Sequence, residues 1–265
     1  SPNTLAVHLQ NVEESSRWYP GAGLIRPVKL ITTGKCHFSE WGINVETQYW
    51  NWAETTATIQ LTAFLDGNLE GNSIVRFSTH GRTIDVTPER ADGRGGALAA
   101  TELTMNNAEC WSPENPRLYD LKVSIIANGG TGKVLDTKTV KYGIRTIDVN
   151  EEGGFKLNGI SRKIKGVCLH HDLGMLGAAV NKSALIRQVE LLKSMGCDAI
   201  RTAHSIPSQM QMEVYDSLGM MVMAESFDMW VYPKCKNGYA RFYKDWWKRD
   251  IQNLVLSNRL HPSAV

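Results

Sequence analysis

Residues 163–225 constrain the fold more than any other stretch, because three short apolar runs alternate there with two segments of helical period. The runs are Ile164-Lys165-Gly166-Val167-Cys168-Leu169, Cys197-Asp198-Ala199-Ile200-Arg201-Thr202 and Met220-Met221-Val222-Met223-Ala224. Runs of this length and character predict parallel strands covered on both faces. Between the first two, Leu185, Val189, Leu192 and Met195 share one helical face within residues 181–195, and Gly196 is a natural stop. Between the second and third, Met210, Val214 and Leu218 repeat every four residues, with Pro207 suited to a first turn and Gly219 to a C-terminal stop. Strand, helix, strand, helix, strand predicts a parallel α/β sheet. In that architecture the reactive groups gather at the strand ends. Here the ends carry His170-His171-Asp172, Arg201 with His204, and Glu225.

The preceding residues read differently. From 35 to 147, alternating segments at 42–50, 56–65, 74–78, 97–103, 121–127 and 134–142 are separated by the turn signals Asp66-Gly67-Asn68, Ala91-Asp92-Gly93-Arg94-Gly95-Gly96 and Asn128-Gly129-Gly130. About seven short strands in about a hundred residues predict an immunoglobulin-like β-sandwich. Trp41, Trp50, Trp52 and Trp111 are assigned to its core. Residues 1–34 offer two candidate strands, around Leu5, Val7 and Leu9 and at 25–31, which are too few for a domain. They read as the last strands of a further β-domain, with Trp18 and Tyr19 packing at its interface. Phe155-Lys156-Leu157-Asn158-Gly159-Ile160 predicts a small hairpin ahead of the first parallel strand. A third helix, at 242–257, would bury Trp247, Ile251 and Leu254, and His261-Pro262-Ser263-Ala264-Val265 would begin a fourth strand. A complete eightfold barrel takes about 250 residues. The expected organisation is therefore multidomain: residues 1–34, a sandwich at 35–147, and the first part of a (β/α)8 TIM barrel at 148–265, all within a longer polypeptide.

The 265 residues carry a formal charge of +2, so no nucleic-acid or acidic-membrane partner is expected. No run is apolar enough to span a bilayer as a helix. The compartment is left open, with a periplasmic or secreted location preferred to a cytoplasmic one. Cys36, Cys110, Cys168, Cys197 and Cys235 are odd in number and show no CxxC spacing, which predicts five free thiols, Cys168 and Cys197 within buried strands.

Read together, the motifs resemble glycoside hydrolase family 2, the family of β-galactosidases, β-glucuronidases and β-mannosidases. "SRWYPGAGLIRPV" resembles the end of its jelly-roll sugar-binding domain, and "WSPENPRLYDLKV" and "YGIRTIDV" its immunoglobulin-like domain. "FKLNGISRKIKGVCLHHDLGMLGAAV", "LLKSMGCDAIRTAHSIPS", "LGMMVMAESFDMW" and "RLHPSAV" resemble the first barrel strands and the lead-in to the fourth. The chain departs from the family pattern at Ala224, Ile206 and Leu260. The resemblance implies a retaining exo-β-glycosidase, with β-galactosidase type preferred. It also implies that both catalytic glutamates lie beyond Val265, so that none of the catalytic residues is expected here. It further implies a carbohydrate substrate, and it allows a divalent cation such as Mg and a homo-oligomer.

The candidate site residues are then His170, Arg201, His204, Glu225, Asp228 and Trp230. The resemblance makes His170 a sugar contact, and a neutral imidazole both gives and accepts hydrogen bonds. His171, one residue on, should face the other way and pack, while Asp172 braces the loop. Arg201 either holds a nucleophile carboxylate in its charged form or makes a structural ion pair. His204 is read as a substrate contact. Glu225 either pairs with Arg201 or meets the substrate, and Asp228 follows as a sugar or metal acid. Trp230 offers a flat ring to a sugar or packs within its loop. Two other classes stay open: a metal-dependent barrel hydrolase with His170, His204 and Glu225 as ligands, and a non-catalytic carbohydrate-binding protein.

Overall fold

The computed structural model describes residues 3–16, 23–69, 71–90 and 96–265. Trp18, Tyr19 and the turn signal at 91–95 lie outside the described residues. Eight strands form the sandwich: β1 (Cys36–Asn51), β2 (Thr56–Gly67), β3 (Ile74–Thr79), β4 (Arg82–Val86), β5 (Glu89–Arg90), β6 (Ala97–Met105), β7 (Tyr119–Ile126) and β8 (Val134–Tyr142). They make two antiparallel sheets, ordered β1-β2-β6-β5 and β4-β3-β7-β8. Period-two alternation explains the core. Ala57, Ile59, Leu61, Ala63 and Leu65 of β2 point inward and meet Val75, Phe77, Leu121, Val123 and Ile125 of the other sheet. The strands β4 and β5 escape a reading from sequence, because both are short edges whose residues are half-buried or exposed.

A hairpin of β9 (Ile147–Asn150), β10 (Gly154–Leu157) and β11 (Ile160–Ser161) follows, turning at Asn158-Gly159 as expected. Then come β12 (Gly166–Leu169), α1 (Lys182–Ser194), β13 (Ala199–Thr202), α2 (Gln209–Leu218), β14 (Met221–Ala224) and α3 (Ala240–Asn258). The strands β12, β13 and β14 are parallel and adjacent in that order. Asn181 caps α1 by accepting from the Ala184 amide, and Ser208 and Gln211 close a capping box on α2. Pro207 therefore stands just outside α2 rather than in its first turn. After α3 the chain returns to the sheet. Ala264 bridges Val222 in parallel, the Val222 amide donates to the Ser263 carbonyl, and the Val265 amide donates to the Val222 carbonyl.

Several expectations need correction. Residues 3–16 and 23–34 form no strand, because a strand needs a hydrogen-bonding neighbour and no described segment pairs with them. The segment lies instead on the loops of the α/β part: the Val180 amide donates to the Ile25 carbonyl and Arg26 donates to the Ile206 carbonyl. The parallel strands are covered on both faces only at their N-terminal ends, where Ala199 and Met221 are buried against Trp111 and Leu157. Leu185, Val189, Ile200, Met212, Tyr215 and Val222 make the core beneath the helices, while Cys168 and Met223 on the opposite face are exposed. Cys168 is thus exposed, and Cys197 is half-buried and precedes β13, so neither is a buried strand thiol. Met195 is exposed at the C-cap of α1. Trp247 and Ile251 are exposed and Leu254 only half-buried, because α3 has no strand layer beneath it comparable to that under α1 and α2. Among the tryptophans, Trp41 and Trp52 are exposed and Trp50 is half-buried at the margin of the sandwich core.

Trp111 is fully buried, but outside the sandwich core. It packs with Leu157, Ala199 and Met221, where the sandwich meets the hairpin and the parallel sheet. Gly219 lies in the same junction. It ends α2 at φ +70°, and a Cβ there would sit 2.6 Å from the Pro113 carbonyl oxygen. Lys193 closes the contact by donating to the carbonyls of Pro113, Leu218 and Gly219. Gly219→Ala is expected to destabilise the protein by at least about 1–2 kcal/mol from the left-handed backbone alone, with the clash added. Denaturant unfolding checks it, and an unchanged midpoint would refute the packing argument.

Candidate functional site

The register of the parallel sheet places the candidate residues. Cys168, Arg201 and Met223 are cross-strand neighbours, and Leu169, Thr202 and Ala224 form the next row. Arg201 therefore projects on the open face, one residue before the end of β13. Glu225 immediately follows β14, and the Thr202 hydroxyl fixes its backbone by accepting from the Glu225 amide at 3.1 Å. The loops after β13 and β14 are tied by an antiparallel bridge between Ser205 and Phe227.

Glu225 is the hub. Arg201 Nε donates to Oε1 at 2.6 Å, and a terminal guanidinium nitrogen lies 2.5 Å from the same oxygen. The His204 amide donates to Oε2 at 2.7 Å. His204 can aim its amide this way because its backbone is left-handed, at φ 67°. Burial alone would raise the Glu225 carboxyl. The His204 amide and the bonds and charge of Arg201 outweigh it and hold the group below the usual carboxylate range. Arg201 also reaches the Cys168 thiol at 3.5 Å.

His204 Nδ1 lies 3.3 Å from Glu225 Oε2 and 3.5 Å from Asp228 Oδ1. With two carboxylates facing Nδ1, that nitrogen is the ring's donor toward them. Asp228 is itself held by Lys234, whose ammonium lies 3.0 Å from Oδ1 and 2.7 Å from the Asp228 carbonyl. His170 joins the group through its ring, 5.4 Å from that of His204.

Five of the six candidates thus share one rim. Trp230 is different: it is 65% exposed, and its ring lies parallel to that of Tyr243 on α3, 6.5 Å away. His171 is half-buried, and burial and the nearby Arg26 lower its pKa, which keeps it neutral at pH 7 and suits packing. Asp172 does brace its loop, accepting from the Gly174 amide. Of the two readings of Glu225, the structure displays the pair with Arg201. Sequence reasoning missed Lys234, whose partner lies six residues away across an irregular loop, and the Thr202 hydroxyl. Strand period alone puts Thr202 on the face opposite Arg201, and only the return of β14 brings the Glu225 amide to it.

The rim does not fit a metal ion. His170, His204 and Glu225 were the candidate ligands, but Arg201 and the His204 amide engage both Glu225 oxygens, and the guanidinium would repel a cation. Among the described residues no group of three or more His, Cys, Asp or Glu is arranged to hold one.

Comparison with known proteins places this geometry. Residues 25–145 match the description "Glycosyl hydrolases family 2", and residues 147–258 match "Glycosyl hydrolases family 2, TIM barrel domain". A beta-galactosidase of Bacteroides ovatus is 37% identical over 99% of the chain, and a beta-glucuronidase of Felis catus is 28% identical over 92%. The chain spans 31% and 36% of those two relatives. The crystal structure of a beta-glycosidase from Bacteroides vulgatus superposes with a TM-score of 0.84 at 31% identity, covering 95% of this chain and 32% of that one. Two matches to one family, end to end over the sandwich and the parallel sheet, establish that this chain belongs to glycosyl hydrolase family 2.

Proposed function

We propose that the protein carrying this chain is a retaining exo-β-glycosidase of β-galactosidase type, acting on a terminal β-linked sugar. The observation that carries the reading is the rim on which Arg201 and the His204 amide lock Glu225 beside the His204 and His170 rings. A sugar presents hydroxyl donors at fixed spacings. Imidazoles, which can bond a hydroxyl, next to an ionised and immobilised carboxylate suit such a ligand. His170, beside His204, is a second imidazole for the same ligand. Trp230 offers its exposed face to a neighbouring sugar unit.

The choice of galactoside is supported by the higher identity to the Bacteroides ovatus beta-galactosidase than to the feline beta-glucuronidase. Retention follows from the double-displacement chemistry of glycosidases with two close carboxyl groups. The test is turnover of nitrophenyl β-galactoside, β-glucuronide and β-mannoside by the full-length protein, with the anomer of the first product read by proton NMR. The galactoside is expected to turn over fastest and to release the β-anomer. No turnover of any β-hexoside would sink the proposal. Trp230→Ala is expected to raise KM about fivefold on a disaccharide, in line with a lost aromatic contact of about 1 kcal/mol, while leaving the nitrophenyl substrate nearly unaffected.

A further inference from the structure

A buried polar cluster lies away from the rim, in residues 261–265 after α3. Asp216 of α2, His261 and Ser263 are 4%, 7% and 0% exposed. Asp216 Oδ1 accepts from the Ser263 amide at 3.1 Å and from the Ser263 hydroxyl at 2.6 Å, and Oδ2 lies 2.5 Å from His261 Nδ1. An aspartate, a histidine and a serine in contact invite comparison with a nucleophilic triad, but the connectivity is wrong. The serine hydroxyl bonds the aspartate and not the imidazole, and all three groups are buried.

A second grip comes from the sandwich side. Arg145, just after β8, donates from Nε to the Pro262 carbonyl at 2.6 Å and from a terminal nitrogen to the Ala264 carbonyl at 2.5 Å. Close approach is built in at Gly143, where a Cβ would stand 2.8 Å from the Pro262 ring. Trp111 links the two grips by donating from Nε1 to the Asp216 carbonyl at 2.8 Å. Five consecutive residues, 261–265, are thereby held by one helix, one end of the sandwich and the edge of β14.

For holding two parts together, this is an expensive arrangement. Burial lowers the Arg145 pKa to about 10, with the Asp216 charge only partly opposing it. Apolar side chains of similar volume would join the same surfaces as well or better. What hydrogen bonds to successive backbone groups add is direction. The register shows what that direction governs. Ala264 is level with Val222, and Glu225 lies three residues beyond Val222, so a strand continuing from Ala264 draws level with Glu225 two residues past Val265. An error in the lead-in becomes an error at the rim.

We propose that Arg145 and Asp216 are positioning residues for the reaction: together they aim the strand that follows β14, and so set the geometry of the groups it delivers beside Glu225. The immunoglobulin-like domain then acts on the site through Arg145, at a distance from the rim. The inference rests on the glycosidase reading, and its test separates the two.

In the full-length protein, Arg145→Met and Asp216→Asn are compared with wild type by steady-state kinetics and by amide hydrogen exchange. Folded enzyme is counted independently from denaturant unfolding. Per folded molecule, kcat is expected to fall about 10–100-fold, the scale of a small misplacement of reacting groups, with KM within about twofold. Exchange at Val222 and Val265 should speed up, while that at Ile200 in β13 does not. Arg145→Lys, which can reach one carbonyl but not two, should fall between wild type and Arg145→Met. Unchanged kcat per folded molecule, or unchanged exchange at Val222 and Val265, would overturn the proposal. If wild type hydrolyses no β-glycoside, the functional reading fails, and the exchange data alone then decide whether the two residues fix the lead-in.

Discussion

Replacing Trp111 with alanine is expected to cost about 3–5 kcal/mol, the largest stability loss of any single substitution considered. The residue is fully buried, and its ring fills the space between Leu157 of the hairpin, Ala199 of β13 and Met221 of β14. Its backbone is committed as well: the Trp111 amide donates to the Ile144 carbonyl at 2.7 Å, and its carbonyl accepts from Asn158 Nδ2 at 2.9 Å. Neighbours fixed this firmly cannot collapse into the void, so the cavity contribution adds to the transfer contribution. The indole N–H adds a separable part. Trp111→Phe keeps most of the apolar contact but leaves the buried Asp216 carbonyl without its donor, at a cost of about 1–3 kcal/mol. Denaturant unfolding of the two variants checks both numbers, and a loss below about 1 kcal/mol for the alanine variant would show that Trp111 does not hold the junction together.

That junction also shows where sequence reading stops. Alternation in β2 and β7 and the runs at β12, β13 and β14 were legible, because burial of one face imposes a period that the sequence must carry. The caps of α2 were legible only in part: Gly219 stands out as a stop, whereas Ser208 and Gln211 look like ordinary polar residues until the helix is in place. Composition assigns a tryptophan to a core but not to which core, so Trp111 reads the same as Trp52, although one is fully buried and the other half-exposed. The rim was recognisable from Arg201, His204 and Glu225 at strand ends, since parallel topology sends all such ends one way. The pairing of Asp216 with Ser263, 47 residues apart, has no local signature. Nor does the exposure of α3, whose aromatic residues carry a helical period that would suit burial equally well.

Arg201→Ala in the full-length protein is expected to lower kcat/KM by about a hundredfold or more, as displacement of a positioned group does, and to reshape its pH dependence. The sign follows from the partners of Glu225. Its carboxyl is held below the usual range against the opposing effect of burial. Its pairing therefore contributes stability that is fully present above the ordinary carboxylate pKa and is lost as pH falls through the depressed value. Without the guanidinium, burial is opposed only by the His204 amide and ring, so the Glu225 pKa rises. The acid limb of the pH profile should then move to higher pH. Glu225→Gln removes that titration and should flatten the same limb while leaving Arg201 without its carboxylate. Lysine is not expected to rescue Arg201, because it offers one point charge where the structure uses two guanidinium nitrogens on Oε1 and a third on the Cys168 thiol. Carbon-detected NMR titration of the Glu225 carboxyl, alongside the rate profile, reads the shift directly. An Arg201→Ala variant within threefold of wild type, with an unmoved acid limb, would mean that the pair braces the sheet and has no part in setting the charge at the rim.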